Sequence, residues 1–489
     1  MEHPLQVEEF SPADAPRVAA AVQAAAPLAL TDAAPLPPLP DIPASDVLFL
    51  KPSDPQYPDF LPAANSRTQL SPALRAVCKS DQAVAAVIDW VDSNNLAFAV
   101  RCGGHSYEGF SQSSDVVIDL RGMADIAVDK AANLVTVGGG ASLFHIYQAL
   151  AAQGLALQAG SCPTVGIAGH IMGGGHGLLA RSHGLTCDAI QQVTVVDSQS
   201  RILTANATSE PDLYWACKGG GGGSFGVATE FQLRVFPLAA ALVFGVSWKL
   251  SQSHAAKIFA AWQHWAPNAP ATITSIMKVG PAGGGLITMR CIGQSVGTEA
   301  ELRAQLRPLV ALEAPSSPLT VKSLGFLDAV KHFAGPLDYE SVFMKAKSDY
   351  VLDPLATSAI QAMLAAVAGV PAGGVVLLCD SYGGKIADVA ADATAFSRRK
   401  GTQYCIQYYS SWTRAADTPA HVAQVAKVYA AMQPFMPGAS YVNYCDLDLP
   451  HYPDAYWGDN LARLMAVKQQ YDPQNLFRHA QSVPLPPQA

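Results

Sequence analysis

Residues 160–188 read GSCPTVGIAGHIMGGGHGLLARSHGLTCD, and no other stretch of the chain packs so much glycine, histidine and cysteine into so little space. Cys162 stands before a proline, and Gly166, Gly169, Gly173, Gly174, Gly175 and Gly177 follow, with His170, His176 and His183 between and after them. Glycine is costly to order, so this density implies backbone that must adopt positive φ or approach another group closely. Working outward, three more glycine-rich stretches appear before Pro237: RCGGHSY (101–107), VGGGAS (137–142) and KGGGGGSFG (218–226). Four such stretches suggest backbone N–H groups converging on a phosphate-bearing cofactor. Gly221, Gly223 and Gly226 formally satisfy G-x-G-x-x-G, but a strand pattern follows rather than a helix, so a nicotinamide-type dinucleotide fold fails its context test.

The bulk properties narrow the class. The chain has 489 residues, 50% hydrophobic and 14% charged, with a net charge of −8. That length is more than one core ordinarily serves, so two domains are expected. Nucleic acid is an unexpected partner for an acidic chain without a basic stripe. No apolar run reaches the roughly 18–20 residues of a membrane span. No secretory signal is visible at the N-terminus, so a cytoplasmic location is favoured over a mature secreted one. The nine cysteines contain no C-x-x-C pair, and His with Cys here lacks zinc spacing.

Residues 1–66 read as a lead-in with a short helix at 13–25, and order is expected from about residue 71. Apolar stripes predict helices at 80–95 and 142–153. Residues 225–235 alternate as the cleanest strand. Beyond Pro237 the pattern changes. Helices are expected at 253–265, 299–312, 354–368 and 419–433, and strands at 242–250, 273–279, 286–292, 375–380 and 403–409. A last helix is expected at 458–470. This reads as an α+β second domain, one sheet covered by helices.

His105 and Cys162 each lie in a glycine loop, where either can meet a large planar ligand; these are side chains able to bond covalently to a flavin ring. RCGGHSYEGFS, GSCPTVGIAGHIMGGGHG, DLYWACKGGGGGSFGV, YVNYCDLDL and WGDNLARLMAVKQQYDPQNLFRHAQSVP resemble the berberine-bridge-enzyme-like family, FAD-linked oxidases of the vanillyl-alcohol-oxidase superfamily. The resemblance spans about residues 70–485. It implies a two-part FAD-binding domain of the PCMH type (67–238, completed by 445–489). A substrate domain of one antiparallel sheet, 239–444, is inserted between. It further implies FAD held by two bonds, His105 at the 8α-methyl and Cys162 at C6, which would raise the flavin's reduction potential. Arg101, Gly103, Gly104, Ser106, Gly138, Thr164, Val165, Gly166, Gly169, His170, Gly173, Gly174, Gly177, Gly226, Val227 and Asn460 fall on the family's cofactor-binding motifs. The imidazoles of His170 and His183 are nonetheless read as structural. The chain departs from the pattern at Ala168, where glycine is usual, and at His176, where an aromatic is common.

On the substrate side, oxidising an alcohol carbon needs a base. YVNYCD offers Tyr441 and Tyr444; by resemblance Tyr444 is the candidate, with Asp380 of LLCDSYGG beside it, and either could take the proton. A free tyrosine pKa near about 10 requires such a neighbour. Alternation along TQYCIQYYSSW puts Gln403, Cys405, Gln407 and Tyr409 on one face, suited to a hydroxyl-rich ligand. Tyr107 is read as a cavity wall. Cys405 stands where members that form C–C bonds carry glutamate. Val165 corresponds to the family's oxygen-gating position, where a small side chain accompanies oxidase behaviour. The expected activity is oxidation of an alcohol or hemiacetal, oligosaccharide C1 to lactone, with O2 as acceptor and H2O2 as product. The alternative is a natural-product alcohol, and the expected assembly is a monomer or weak dimer.

Overall fold

The computed structural model describes residues 36–335 and 341–487; the helix expected at 13–25 lies outside them. Among the described residues, three large sheets and one two-stranded pair carry the chain. The first has four strands, Val47–Leu50, Leu74–Cys78, Val116–Asp119 and Phe98–Arg101 in spatial order. Helix Asp81–Ser93 connects Leu74–Cys78 to Phe98–Arg101, both parallel to Val116–Asp119. Ser80 caps it, its hydroxyl accepting the Ala83 N–H, and Val84, Val87, Ile88 and Val91 are buried against the sheet. The expectation that order starts near residue 71 is corrected here. Val47–Leu50 pairs antiparallel with Leu74–Cys78, and the flanking prolines had masked its short apolar run.

The second sheet is antiparallel, ordered Ile126–Asp129, Leu134–Gly138, Val227–Arg234, Ile190–Val196, Ile202–Asn206. Helix Leu143–Ala151, capped by Ser142, buries Leu143, Ile146, Tyr147 and Leu150 against this half's core. The short pair Phe236–Pro237 with Leu155–Ala156 ends it.

The third sheet has seven antiparallel strands. In order they are Ser317–Gly325, Ala240–Leu250, Ile287–Ser295, Ile273–Pro281, Val376–Ser381, Tyr404–Trp412 and Phe343–Val351. Helices Gln252–Trp265, Glu299–Val310, Thr357–Ala368 and Thr418–Met432 accompany it. Trp248, Met277, Met289, Leu377, Tyr404, Ile406 and Tyr408 point into the helix-covered core. By the two-residue period, Asp380, Cys405, Gln407 and Tyr409 point to the other face, toward the first half. Two strands are absent from the sequence reading. Ser317–Gly325 is an edge strand with mostly exposed side chains, and Phe343–Val351 carries Lys345 and Lys347, which look like surface residues but are buried.

The tail returns to the first half. Helix Leu461–Tyr471 buries Leu464 and Val467 in that core, and buried Lys468 Nζ donates to Asp472 Oδ2 (2.5 Å) and to the carbonyls of Ser224 and Phe477. The buried Arg181 guanidinium joins the halves, donating to the Tyr382 (2.8 Å), Pro267 (2.9 Å) and Ala269 (2.7 Å) carbonyls.

Candidate active site

A cavity of about 350 Å³ opens where the two sheets of the first half and the returning tail meet. Its walls come from residues 98–107, 162–172, 220–228, 442–445 and 477–481 among others. Two loops converge there because neither has side chains in the way. A Cβ on Gly103 would collide with the Gly166 backbone, and one on Gly166 with Cys102, so the His105 and Cys162 loops run backbone to backbone. Thr164 ties the two candidate attachment residues together. Its Oγ1 lies 2.9 Å from His105 Nε2, and hydrogen bonds from Thr164 and Val165 reach the Cys162 thiol.

Burial first, and then the Arg101 guanidinium, lower the His105 pKa to about 4, so its imidazole is neutral at neutral pH. Cys162 is the exposed cysteine, yet desolvation raises its thiol pKa while the hydrogen bonds at Thr164 and Val165 pull against it. Arg101 itself turns away from the cavity. Its guanidinium donates to the Leu61 and Pro62 carbonyls and packs beneath Gly104, a buttress for the His105 loop.

Of the sequence-predicted cofactor residues, Gly103, Gly104, His105, Ser106, Cys162, Val165, Gly166, Gly169, His170, Gly226 and Val227 line the cavity. Others do not, and the physical reason is the same for most. Gly138, Gly173, Gly174 and Gly177 are small because protein packs against them: the Met123 carbonyl, the Asn443 side chain, the Phe396 ring and the Ala159 carbonyl respectively. Asn460 donates to the carbonyls of Ala391 (2.8 Å) and Thr394 (3.1 Å), an interdomain tie rather than a cofactor contact. His170 reaches the cavity, but its Nε2 accepts the Gly160 N–H (3.1 Å) and lies 3.0 Å from Thr186 Oγ1. Two glycines show the opposite behaviour. A Cβ on Gly169 would meet nothing within 4 Å, and one on Gly222 would meet only Gly169 Cα at 4.0 Å. The two lie side by side, so one face of the slot is bare backbone that a planar ring system can approach closely, and with His105 and Cys162 lining the same cavity the residues present fit FAD.

The substrate side is a chain of polar contacts. Tyr444 Oη donates to Asp380 Oδ2 at 3.2 Å. The Tyr444 ring stacks parallel to Tyr107, with centroids 5.8 Å apart and planes 2° apart, and Gln407 Nε2 donates to Tyr107 Oη at 2.7 Å. Burial raises the Asp380 pKa, against His176, the Tyr444 hydroxyl and Lys278, which lower it. Burial and then the Asp380 charge push Tyr444 well above its usual range. Tyr409 faces the same side, half-buried, its hydroxyl 3.8 Å from Met344 Sδ. Tyr441 is a correction to the candidate base pair. Its hydroxyl accepts the Gly175 N–H (3.0 Å) and the Asn443 amide (3.0 Å), so it holds the glycine run in place.

Two histidines, one on the cavity wall and one beside Asp380, were given no role by the sequence reading. His479 stacks on Phe110 with centroids 4.2 Å apart and its Nε2 lies 3.2 Å from the Gly222 carbonyl, pinning the tail to the glycine run. The FRHAQ of the tail motif was the available signal. His176, read only as a departure, stacks on Tyr382 (5.1 Å) and lies 3.3 Å from the Ser381 carbonyl, beside Asp380. Among the described residues no group of His, Cys, Asp and Glu could hold a metal, and no helix is long and apolar enough to cross a membrane.

Comparison with known proteins agrees with this geometry. Residues 72–206 match the FAD binding domain family, and residues 440–484 match the "Berberine and berberine like" family. An uncharacterized FAD-linked oxidoreductase of Bacillus subtilis, YgaK, is 32% identical over 436 residues, covering 88% of this chain and 95% of that protein. Berberine bridge enzyme-like D-1 of Nicotiana tabacum is 32% identical over 444 residues, covering 79% of this chain and 78% of that one. The solved structure of Physcomitrella patens BBE-like 1 superposes with a TM-score of 0.84 at 29% identity, covering 90% of this chain and 98% of that one. With the glycine-walled slot, the paired loops and the returning tail in place, the chain belongs to the berberine-bridge-enzyme-like family, an α+β FAD-dependent oxidoreductase of the PCMH type.

Proposed function

We propose that the enzyme oxidises an alcohol or hemiacetal carbon, oligosaccharide C1 to lactone, and passes the electrons to molecular oxygen. The observation that carries this reading is the hydrogen-bonded Tyr444–Asp380 pair at 3.2 Å beside the cavity. His105 and Cys162 would hold FAD covalently, and the neutral His105 imidazole leaves a ring nitrogen for the bond. When bound, FAD supplies the acceptor for two electrons and the carbon-bound hydrogen, and O2 restores it on being reduced to H2O2.

The chain's own residues supply the rest. Tyr107 and Gln407 present a hydroxyl and an amide to the substrate's hydroxyl groups, and the Tyr107 ring can stack on a sugar face. Tyr444 accepts the proton as the substrate O–H breaks and passes its own to Asp380, so no free phenolate has to form in a buried place. The C–H and O–H bonds are replaced by C=O. Val165 on the cavity wall is small, which supports access of oxygen.

Acid precipitation of purified protein tests the attachment: a yellow pellet is expected, and a colourless pellet under a yellow supernatant refutes it. A peroxide-coupled screen of cello-, chito-, xylo- and malto-oligosaccharides tests the substrate class. Peroxide from a hydrophobic alcohol and from none of the sugars refutes the sugar reading and favours a natural-product alcohol.

A further inference from the structure

The face of the seven-stranded sheet that carries Asp380 also carries an unmatched pair of cations. Asp380 stands opposite Ile276, and Lys278 opposite Leu378, so Lys278 and Asp380 are diagonal neighbours on one face. Lys278 in turn stands directly opposite Arg290 on the next strand. Like charges directly opposed across an antiparallel pair are destabilising, at a Cβ separation of roughly 4.5–5.5 Å. Among the described residues neither side chain has a hydrogen-bond or ion-pair partner, and the one carboxylate on this part of the face, Asp380, already accepts the Tyr444 hydroxyl. Lys278 is half-buried and Arg290 exposed. Burial lowers the Lys278 ammonium first, Arg290 lowers it further, and Asp380 opposes both. Lys322 and His332, both exposed, extend the same positive region, and both Lys322 and Arg290 depress the His332 imidazole after burial has done so. A chain of net charge −8 would repel anions as a whole, so two cations facing one carboxylate, itself engaged by Tyr444, are a local exception beside the reacting groups.

We propose that Lys278 and Arg290 form a subsite for an anionic group, a carboxylate or a phosphate, on the substrate oxidised at Tyr444–Asp380. The distance is suitable. Lys278 lies one strand and Arg290 two strands from the Asp380 strand, about 5–10 Å, the span of one to two pyranose rings. The substrate class is then an acidic sugar, charged on the ring that is oxidised or on the next one. This rests on the oxidase reading above.

The test uses the FAD-loaded enzyme at low salt with cellobiose, its analogue ending in glucuronate, and cellobiose 6′-phosphate. At least one charged sugar is expected to exceed cellobiose about tenfold in kcat/KM, mainly through KM, and the better of the two identifies the anion. K278Q and R290Q are each expected to remove most of that preference; R290Q leaves cellobiose within about twofold, and K278Q does so at a pH above the Asp380 limb, which the loss of a cation beside Asp380 shifts upward. Equal turnover of charged and neutral sugars, or equal loss of both in the variants, overturns the subsite. Calorimetric binding of the methyl glycoside of the glucuronate disaccharide, blocked at C1, separates the two readings. If it binds the wild type but not R290Q while no sugar is oxidised, the oxidase reading fails and the subsite stands. If cellobiose is oxidised and neither charged sugar is preferred nor the glycoside binds, the subsite fails alone.

Discussion

Lys345 is the side chain whose loss should be felt most widely. Its ammonium, 3% exposed, donates to Glu108 Oε1 and Asp446 Oδ1, both at 2.6 Å, and lies 3.1 Å from Asp448. Lys347 completes the cluster on Asp446 (2.6 Å), and Arg67 on Glu108 (2.5 Å). Burial would lower the Lys345 ammonium, but Glu108, Asp446 and Asp448 outweigh it and hold it above its usual range. Three cations and three carboxylates balance, and they fasten Glu108, three residues after His105, to Asp446, two after Tyr444. At 2.6 Å each contact has a gross Coulomb energy of about 6 kcal/mol at an effective dielectric of 20. Desolvation cancels much of this, and removing one partner of such a buried cluster costs about 3–5 kcal/mol, because three carboxylates are left with two cations and one buried negative charge is in excess. Lys345→Met should therefore lower the urea midpoint of the holoenzyme and loosen the loops that carry His105 and Tyr444. Adding Glu108→Gln removes the excess charge and should recover part of the loss. Denaturation of the four proteins of this cycle gives the coupling. A cost under about 1 kcal/mol for Lys345→Met, or a double variant as unstable as the sum of the singles, refutes the reasoning.

Asp380→Asn keeps an acceptor for the Tyr444 hydroxyl but removes the proton sink, so kcat should fall about 10²–10⁴-fold. Because burial raises the Asp380 pKa, wild-type activity should rise as pH climbs through that raised value, and the limb should vanish in the variant. A loss under tenfold with the limb intact sinks the assignment. Gly169→Leu places a good helix former in helix Ile167–Met172, where a Cβ meets open space. The protein should fold and lose its flavin absorbance; normal loading would show that the slot is not the ring's place. Asp349, buried in the helix-covered half of the sheet, has its pKa raised by burial to about 7, despite Tyr408 and the Gln433 amide at 3.2 Å. The folded state retains that proton after the unfolded chain has lost it, so this group's contribution to stability is present below about pH 4 and is lost as pH rises to about 7. Asp349→Asn should be stabilising by a few kcal/mol at pH 8 and nearly neutral at pH 4 in urea titrations, and the reverse order would exclude the carboxyl as the cause.

Much of the architecture was legible because it rests on local rules. Ser80 and Ser142 capped the helices they precede, and alternation in TQYCIQYYSSW divided Tyr404, Ile406 and Tyr408 from Cys405, Gln407 and Tyr409 as the sheet does. The strand Phe343–Val351 was hidden because its buried lysines are matched by acids some 100 and 237 positions away, a pairing no local window contains. The same limit applied at the site. A glycine that leaves room for a ligand and one that leaves room for protein are spelled alike: Gly169 faces open space, and Gly177 faces the Ala159 carbonyl.

Residue types and their order along the chain were enough to determine the family, the FAD-binding architecture and the presence of His105, Cys162, Tyr444 and Asp380 among its motifs. The resemblance pointed to Tyr444 beside Asp380, and the tertiary structure supplied the contacts that keep Tyr441 away from it. Tyr441 and Tyr444 lie one helical turn apart in a 3-10 segment and its cap, so one hydroxyl is taken by Gly175 N–H and the other by Asp380. It also decided that His176 stands beside that aspartate, and that Lys278 and Arg290 share its face. These are contacts between strands and loops brought together by folding, and their energies depend on burial and separation, neither of which a linear sequence records.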